Sequence, residues 1–286
     1  MTLVESMQRS IDYMENHLLE DVSIEEIASQ ANTSVFHFQR MFTLLTETPV
    51  AEYLRRRRLT LAAHELSKTN IKVIDIALKY GYDTPESFAK AFKKQHGITP
   101  REAKCFTGKM QSYNRLVIQV NVKGAEPMLY HMVQKGPIQV VGVRRELSCE
   151  NGENQRVIPQ LWEKVNGDGT SEDLTKLNNG DIQGLLGVCA DKSYVQANLV
   201  DYWIAAAHKG EVPERFSQLE LPASKWAVFE VHGPMPLSIQ KVWKQIYSEW
   251  FPSSGYEHAG TPDLEVYSEG DPFSEDYYSE IWIPVK

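Results

Sequence analysis

Three hydrogen-bonding side chains, His37, Gln39 and Arg40, stand among aromatic residues in the stretch "VFHFQRMF" (35–42). On a helix of period 3.6, Val35, Phe38 and Phe42 share one apolar face, while Phe36, His37, Gln39 and Arg40 project elsewhere. The bland reading is an amphipathic helix with a solvated polar side. The sharper one is a DNA-reading helix: Gln39 suits an adenine edge, Arg40 a guanine or a phosphate, Phe36 a thymine methyl and His37 a phosphate. A second candidate group lies far downstream. Glu280 alternates with Ile281 and Ile283 and shares a strand face with Trp282. A carboxylate on a central apolar strand is costly unless it is solvated or paired. Glu280 therefore either faces water, bonds a tyrosine such as Tyr202, or anchors a ligand. Trp162, Tyr202, Trp203 and Tyr256 are candidate walls for a flat or cationic ligand, although each alone is as well read as core. No Ser-His-Asp order, Gly-rich phosphate loop or metal-ligand spacing accompanies them, so the sequence offers no catalytic residue, metal site or cofactor.

The elements that must position these residues are periodic. "SIEEIASQANTSVFHFQRMF" (23–42) has a partner in "KVIDIALKYGYDTPESFAKAFKK" (72–94). In each, an Ile-Ala pair ends a short helix, a polar turn follows, and a second helix carries Phe at i and i+4 (Phe38/Phe42 and Phe88/Phe92). Short helix, turn, longer helix is the helix-turn-helix pattern, whose second helix enters the major groove. Ser23 with Glu26 forms a capping box, Thr33 or Ser34 can cap the first recognition helix, and Thr84-Pro85 opens the second. On that second helix Glu86, Ser87 and Lys90 take the outward face, with Lys93 and Lys94 one turn on. Glu86 suits a cytosine amino group or simply a helix N-terminus; the lysines suit phosphates. Between the units, 50–68 reads as one helix of roughly 27 Å, close to a turn of B-DNA. Its run Arg55–Arg58 points in four directions, so at most two of these arginines reach one DNA surface; the others pair with carboxylates such as Glu52 or cover core.

Charge supports the division. The 286-residue chain has a net charge of −8, yet residues 27–123 hold 16 basic and 7 acidic side chains, and residues 124–286 hold 13 and 24. A polyanion-binding part is joined to an acidic part with another task. The first residues lack an apolar signal core, no stretch suits a membrane span, and three scattered cysteines (Cys105, Cys149, Cys189) form no disulfide framework. The expectation is a cytoplasmic protein with no membrane contact.

On these motifs, residues 4–105 resemble the AraC/XylS family of bacterial transcription regulators. "FHFQRMF" matches its first recognition helix, "EYLRRRRLTLAAHEL" its linker helix, and "IALKYGYDTPESFAKAFKKQHGITP" its second unit. The family usually has Gly after the first recognition helix. Here Glu47 takes that place and Pro49 comes one residue early, which should alter how the connection closes. The second unit keeps Gly97 and Thr99-Pro100.

Beyond a Gly-, Asn- and Ser-containing linker, the pattern changes to strands and isolated helices. A strand (136–147), a helix (156–165) and two strands (184–191, 202–210) are followed by a second copy at 223–233, 237–251, 263–270 and 277–285. Two strand–helix–strand–strand copies make an α+β domain with antiparallel sheets. With the closing "EIWIPV", this layout resembles the GyrI-like effector-binding domains found in Rob-like regulators. The resemblance implies a groove at the pseudo-twofold for amphipathic, often cationic or aromatic molecules, with Glu280 as the charged group. The expected organisation is an α+β multidomain chain: an all-α double helix-turn-helix domain (1–107), a linker (108–127) and a GyrI-like domain (128–286). It implies a regulator whose partners are promoter DNA and a small amphipathic effector, with RNA polymerase a further candidate. The alternatives give the C-terminal domain a hydrolase or protein-binding role.

Overall fold

The computed structural model describes residues 3–105, 108–118, 127–149, 152–191 and 199–286. Packing divides the chain into two compact units. The first comprises the described residues of Met1–Asn32 and Thr48–Val120, the second those of Thr33–Glu47 and Asn121–Lys286. The segment 33–47, read from sequence as part of the DNA-binding domain, therefore packs with the C-terminal unit.

The first unit is helical: α1 Leu3–Asn16, α2 Ile24–Gln30, then, after the helix α3 Val35–Thr46, α4 Val50–Lys68, α5 Val73–Lys79, α6 Pro85–His96 and α7 Pro100–Ala103. The start signals operate as their residue types imply. Ser23 Oγ accepts the Glu26 N–H, and the Ser23 N–H donates back to Glu26 Oε2 at 2.9 Å. Ser34 caps α3 and Thr84 caps α6, with Pro85 in the first turn. Leu59, Ala62, Ala63 and Leu66 of α4 pack with Ile76, Ala77, Phe88 and Phe92 in one core. The four arginines of α4 diverge as expected. Arg55 and Arg56 pair with Glu52. Arg57 donates to Glu15 at 2.7 and 2.8 Å, and Tyr53 donates to the same carboxylate at 2.6 Å. Arg58 Nε donates to the Leu18 carbonyl at 2.6 Å. Part of the expected linker is strapped to this unit: the Tyr113 N–H donates to Thr60 Oγ1, the Leu116 N–H to Tyr53 Oη and the Ile118 N–H to Gln8 Oε1. Residues 119–126 of that linker lie outside the described residues.

Apart from α3, the second unit is built on one eight-stranded antiparallel sheet. Its strands are β1 Tyr130–Lys135, β2 Ile138–Ser148, β3 Leu185–Asp191, β4 Leu199–Ala207, β5 Ser217–Leu221, β6 Ser224–His232, β7 Asp263–Tyr267 and β8 Tyr278–Val285. The helices are α8 Glu153–Gly167, α9 Thr170–Leu177 and α10 Leu237–Gln245, which runs through a π-helical turn, Ile246–Trp250, into α11 Phe251–Ser254. The order β1-β6-β8-β7-β3-β4-β2-β5 is a duplicated layout, with β6, β8 and β7 mirrored by β2, β4 and β3 about the central β3–β7 pair. Two strands were not anticipated. β1 precedes β2 yet pairs with β6, and β5 precedes β6 yet pairs with β2, so each copy lends its first strand to the other. Both are short edge strands with weak apolar alternation, which is why periodicity passes over them.

The strand register sorts side chains between two apolar clusters. Val188, Trp203, Trp226, Val228, Leu264, Val266 and Trp282 belong to one. Tyr202, Ile204 and Ala206 of β4 pack with Leu161 and Val165 of α8 and Leu174 of α9 in the other, and Phe36 of α3 joins them. No helix among the described residues is long and apolar enough to cross a membrane.

Candidate functional site

The two proposed recognition helices sit in different surroundings. On α6, Phe88 and Phe92 are buried, and Glu86, Ser87, Lys90, Lys93 and Lys94 are exposed on the other side, where sequence periodicity put them. The Ser87 hydroxyl turns back to the Thr84 carbonyl at 2.8 Å, so it serves the helix start. On α3 no residue from Val35 to Thr46 is exposed. Phe36, His37 and Arg40, expected to project to solvent with Gln39, instead face the sheet unit, and Gln39 is half-buried. The reason is chemical. An aromatic and cationic helix face seeks carboxylates and rings, and the acidic C-terminal unit supplies both.

Arg40 marks the centre of this arrangement. Its guanidinium lies 3.7 Å over the Trp243 ring of α10, 3.3 Å from Asp263 Oδ2 and 3.6 Å from Glu265 Oε1. Burial works against its charge, but Cys189, Asp263, Tyr247 and Glu265 outweigh that and hold its pKa above the ordinary arginine value. Beneath it, Glu265 is fixed from two sides: the Trp243 indole N–H donates to Oε1 at 2.7 Å and the Tyr267 hydroxyl to Oε2 at 2.9 Å. The box is completed by Trp162 of α8. Its N–H donates to Tyr202 Oη at 2.8 Å, and its ring meets that of Tyr267 at 4.9 Å. Burial raises the pKa values of Tyr202 and Tyr267 well above normal, with Glu265 adding to it, so both phenols stay neutral, Tyr267 donating to Glu265 and Tyr202 accepting from Trp162. Room for this set comes from a glycine. Gly187 lies opposite Glu265 across the central strand pair, and a Cβ there would stand 2.6 Å from Tyr202 Oη and 3.3 Å from Glu265 Oε2.

Beside the box, Asp263 joins two histidines. His258 Nε2 is 2.6 Å from Asp263 Oδ1, and the His37 ring meets the His258 ring edge-on at 3.7 Å. Burial alone would raise the Asp263 pKa, but His258, His37 and Arg40 bring it down to about 2. Burial, with His258 and Arg40 adding to it, lowers His37 to about 3. The ligand atoms of His37, His258 and Asp263 lie within 4.8 Å of one another and could together hold a metal ion. Arg40 already supplies a positive charge to the second oxygen of that carboxylate, which opposes a further cation there.

The five residues expected to form one ligand site separate. Trp162 and Tyr202 meet at the Glu265 box, whereas Trp203 lies in the other apolar cluster. Glu280 pairs in register with Val266, so it too projects away from Glu265. Its carboxylate is taken by its own strand, accepting from Tyr278 Oη at 2.5 Å and from Trp282 Nε1 at 2.6 Å. Tyr256 stacks on Trp250 elsewhere. The charged group beside the Trp162–Tyr202 pair is Glu265, not Glu280. Sequence reasoning missed Glu265, Trp243, Asp263, Tyr267 and His258. The available signal was the alternation Asp263-Leu264-Glu265-Val266-Tyr267, which puts three polar side chains on one strand face.

Comparison with known proteins bears on both units. The family profile described as the GyrI-like small molecule binding domain matches residues 128–286, and a helix-turn-helix domain profile matches residues 27–104. The HTH-type transcriptional activator AarP of Providencia stuartii is 46% identical over 88 residues, 31% of this chain and 65% of that protein. The right origin-binding protein of Escherichia coli K12 is 40% identical over 88 residues, again 31% of this chain but 30% of its own length. The chain thus spans less than two thirds of either relative. The structure of SAV2435 bound to tetraphenylphosphonium is 28% identical, covers 56% of this chain and 94% of its own, and superposes with a TM-score of 0.51.

Proposed function

We propose, for a chain that belongs to the GyrI-like small-molecule-binding family and carries an AraC-type helix-turn-helix region, the role of a transcription regulator that reads promoter DNA and senses an organic cation at Glu265. One observation carries the sensing half. A carboxylate held by an indole and a phenol, under an aromatic wall, receives a cation in the form of the Arg40 guanidinium. Coulomb attraction and the face of the Trp243 ring reward positive charge, and the buried rings reward a flat or apolar body. The similar protein SAV2435 was solved with tetraphenylphosphonium, a large organic cation, which supports the same ligand class.

For DNA, α6 offers Lys90 and Lys93 to phosphates and Glu86 to the groove, with Ser87 holding the helix start; α3 offers Phe36, His37, Gln39 and Arg40 once its face is free. The relative AarP is named as a transcriptional activator, which supports a regulator over a hydrolase; RNA polymerase is the further partner in this reading. Calorimetry with tetraphenylphosphonium tests the sensing half. Glu265→Gln should weaken binding about tenfold or more, the equivalent of about 1.4 kcal/mol, while Glu280→Gln should leave it unchanged. If the Glu280 change abolishes binding and the Glu265 change does not, the site is misplaced.

A further inference from the structure

The cation site is filled by a side chain of the helix that should read DNA. Among the residues of α3 none is exposed, whereas α6 presents five. Three contacts along α3 and one at its C-cap hold it to the sheet unit: Phe36 in the core that includes Tyr202, His37 against His258, Arg40 between Trp243 and the two carboxylates, and the capping Glu47 accepting from Lys244 Nζ at 2.7 Å. A DNA groove offers a guanidinium what this box offers it, negative charge with in-plane acceptors. One guanidinium cannot be in both places.

We propose that Arg40 is a built-in ligand of the effector site, so that an organic cation and DNA act together by taking, respectively, the place and the side chain of Arg40. The inference rests on the sensor reading above and adds its coupling to DNA. With α3 seated, the first helix-turn-helix unit lacks its reading face, and binding relies on α6. A cation that displaces Arg40 removes the ion pairs and the ring contact that hold the helix. The seated state then loses population by as much as the cation's preference for the open site. Because coupling is reciprocal, DNA that captures α3 must raise cation affinity by the same factor. The sign is fixed: effector strengthens DNA binding.

The test is fluorescence anisotropy of the full chain with a short duplex enriched from a random pool by that same protein. Without any ligand, Glu265→Gln should bind the duplex about tenfold more tightly than wild type, within the usual range of allosteric coupling. Trp243→Phe, which keeps an aromatic ring and removes the indole N–H, should move the same way by less, and serves if the glutamine variant folds poorly. Tetraphenylphosphonium should tighten wild-type binding by a similar factor and leave Glu265→Gln unmoved. In the opposite direction, Arg40→Ala should bind tetraphenylphosphonium about tenfold more tightly than wild type in the absence of DNA, its competitor having been removed. Unchanged or weaker ligand-free DNA binding by both folded pocket variants overturns the proposal, as does unchanged cation affinity in Arg40→Ala. If tetraphenylphosphonium binds neither wild type nor Arg40→Ala, the sensor reading fails, and the ligand-free DNA comparison still decides whether Arg40 restrains α3.

Discussion

Glu265 and Glu280 are fifteen residues apart on neighbouring strands, each flanked in sequence by apolar side chains on at least one side. Sequence favours Glu280 because its flanks, Ile281, Trp282 and Ile283, are the more apolar. What separates the two is strand register. Pairing of Val266 with Glu280 sends Glu280 to the face opposite Glu265, and no property of either strand alone carries that information. Trp162 and Tyr202 were legible as packed rings because large rings on amphipathic elements have few alternatives to burial. Trp203, adjacent to Tyr202, necessarily points the other way on the same strand. His37 shows a residue whose type was legible and whose surroundings were not. Its folded pKa is depressed to about 3 by burial first, then by His258 and Arg40, against the pull of Asp263. Between about pH 3 and 6.5 the unfolded chain therefore binds a proton that the folded chain refuses, so stability is undiminished above 6.5 and falls as pH drops below it. The loss attributable to His37 should approach about 1.4 kcal/mol per pH unit. Urea midpoints measured from pH 7.5 to 4 should slope less steeply for His37→Gln than for wild type. Parallel slopes would mean that His37 titrates normally.

At the scale of elements, local signals were strong wherever a cap or a short-range period defined the structure. The Ser23 capping box, the 50–68 helix and the repeat of Phe pairs all stand where their residues imply. The departure at Glu47 is closed in the usual way despite the residue. Glu47 adopts φ 56°, with its N–H on the Thr43 carbonyl, and Gly97 adopts φ 77° at the same point of the second unit. The left-handed strain is thus accepted in α3, at a side chain that also accepts from Lys244. Replacing Gly97 with Ala should cost about 1–2 kcal/mol, the penalty of a Cβ in this region, since no neighbouring atom stands within 4 Å to add a clash. Glu47→Gly should raise the thermal midpoint by relieving the same strain. A fall in the midpoint of Glu47→Gly would show that its Lys244 contact outweighs the backbone. β1 and β5 were beyond sequence reading for a different reason: their partners lie in the other copy of the repeat, 75 to 99 residues away.

Across the whole molecule, the charge division was plain in the sequence and its consequence was not. A basic region followed by an acidic one suggests separate partners, DNA for one and a cation for the other. The same complementarity lets the first be a partner of the second, and Arg40 in the Glu265 box is that contact at atomic scale. On the proposed coupling, α3 leaves the C-terminal unit to read DNA. This can be tested by holding the helix where it lies. Glu47 and Lys244, in direct contact on the surface, are replaced by cysteine with the exposed Cys105 changed to Ser, and the pair is joined by a short bismaleimide. Anisotropy titrations then compare joined and unjoined protein on the enriched duplex with and without tetraphenylphosphonium. The unjoined protein should gain affinity with the cation, and the joined protein should bind weakly and no longer respond. Equal binding and equal response in the joined protein would contradict the coupling, since α3 would then read DNA, or not need to, while still seated.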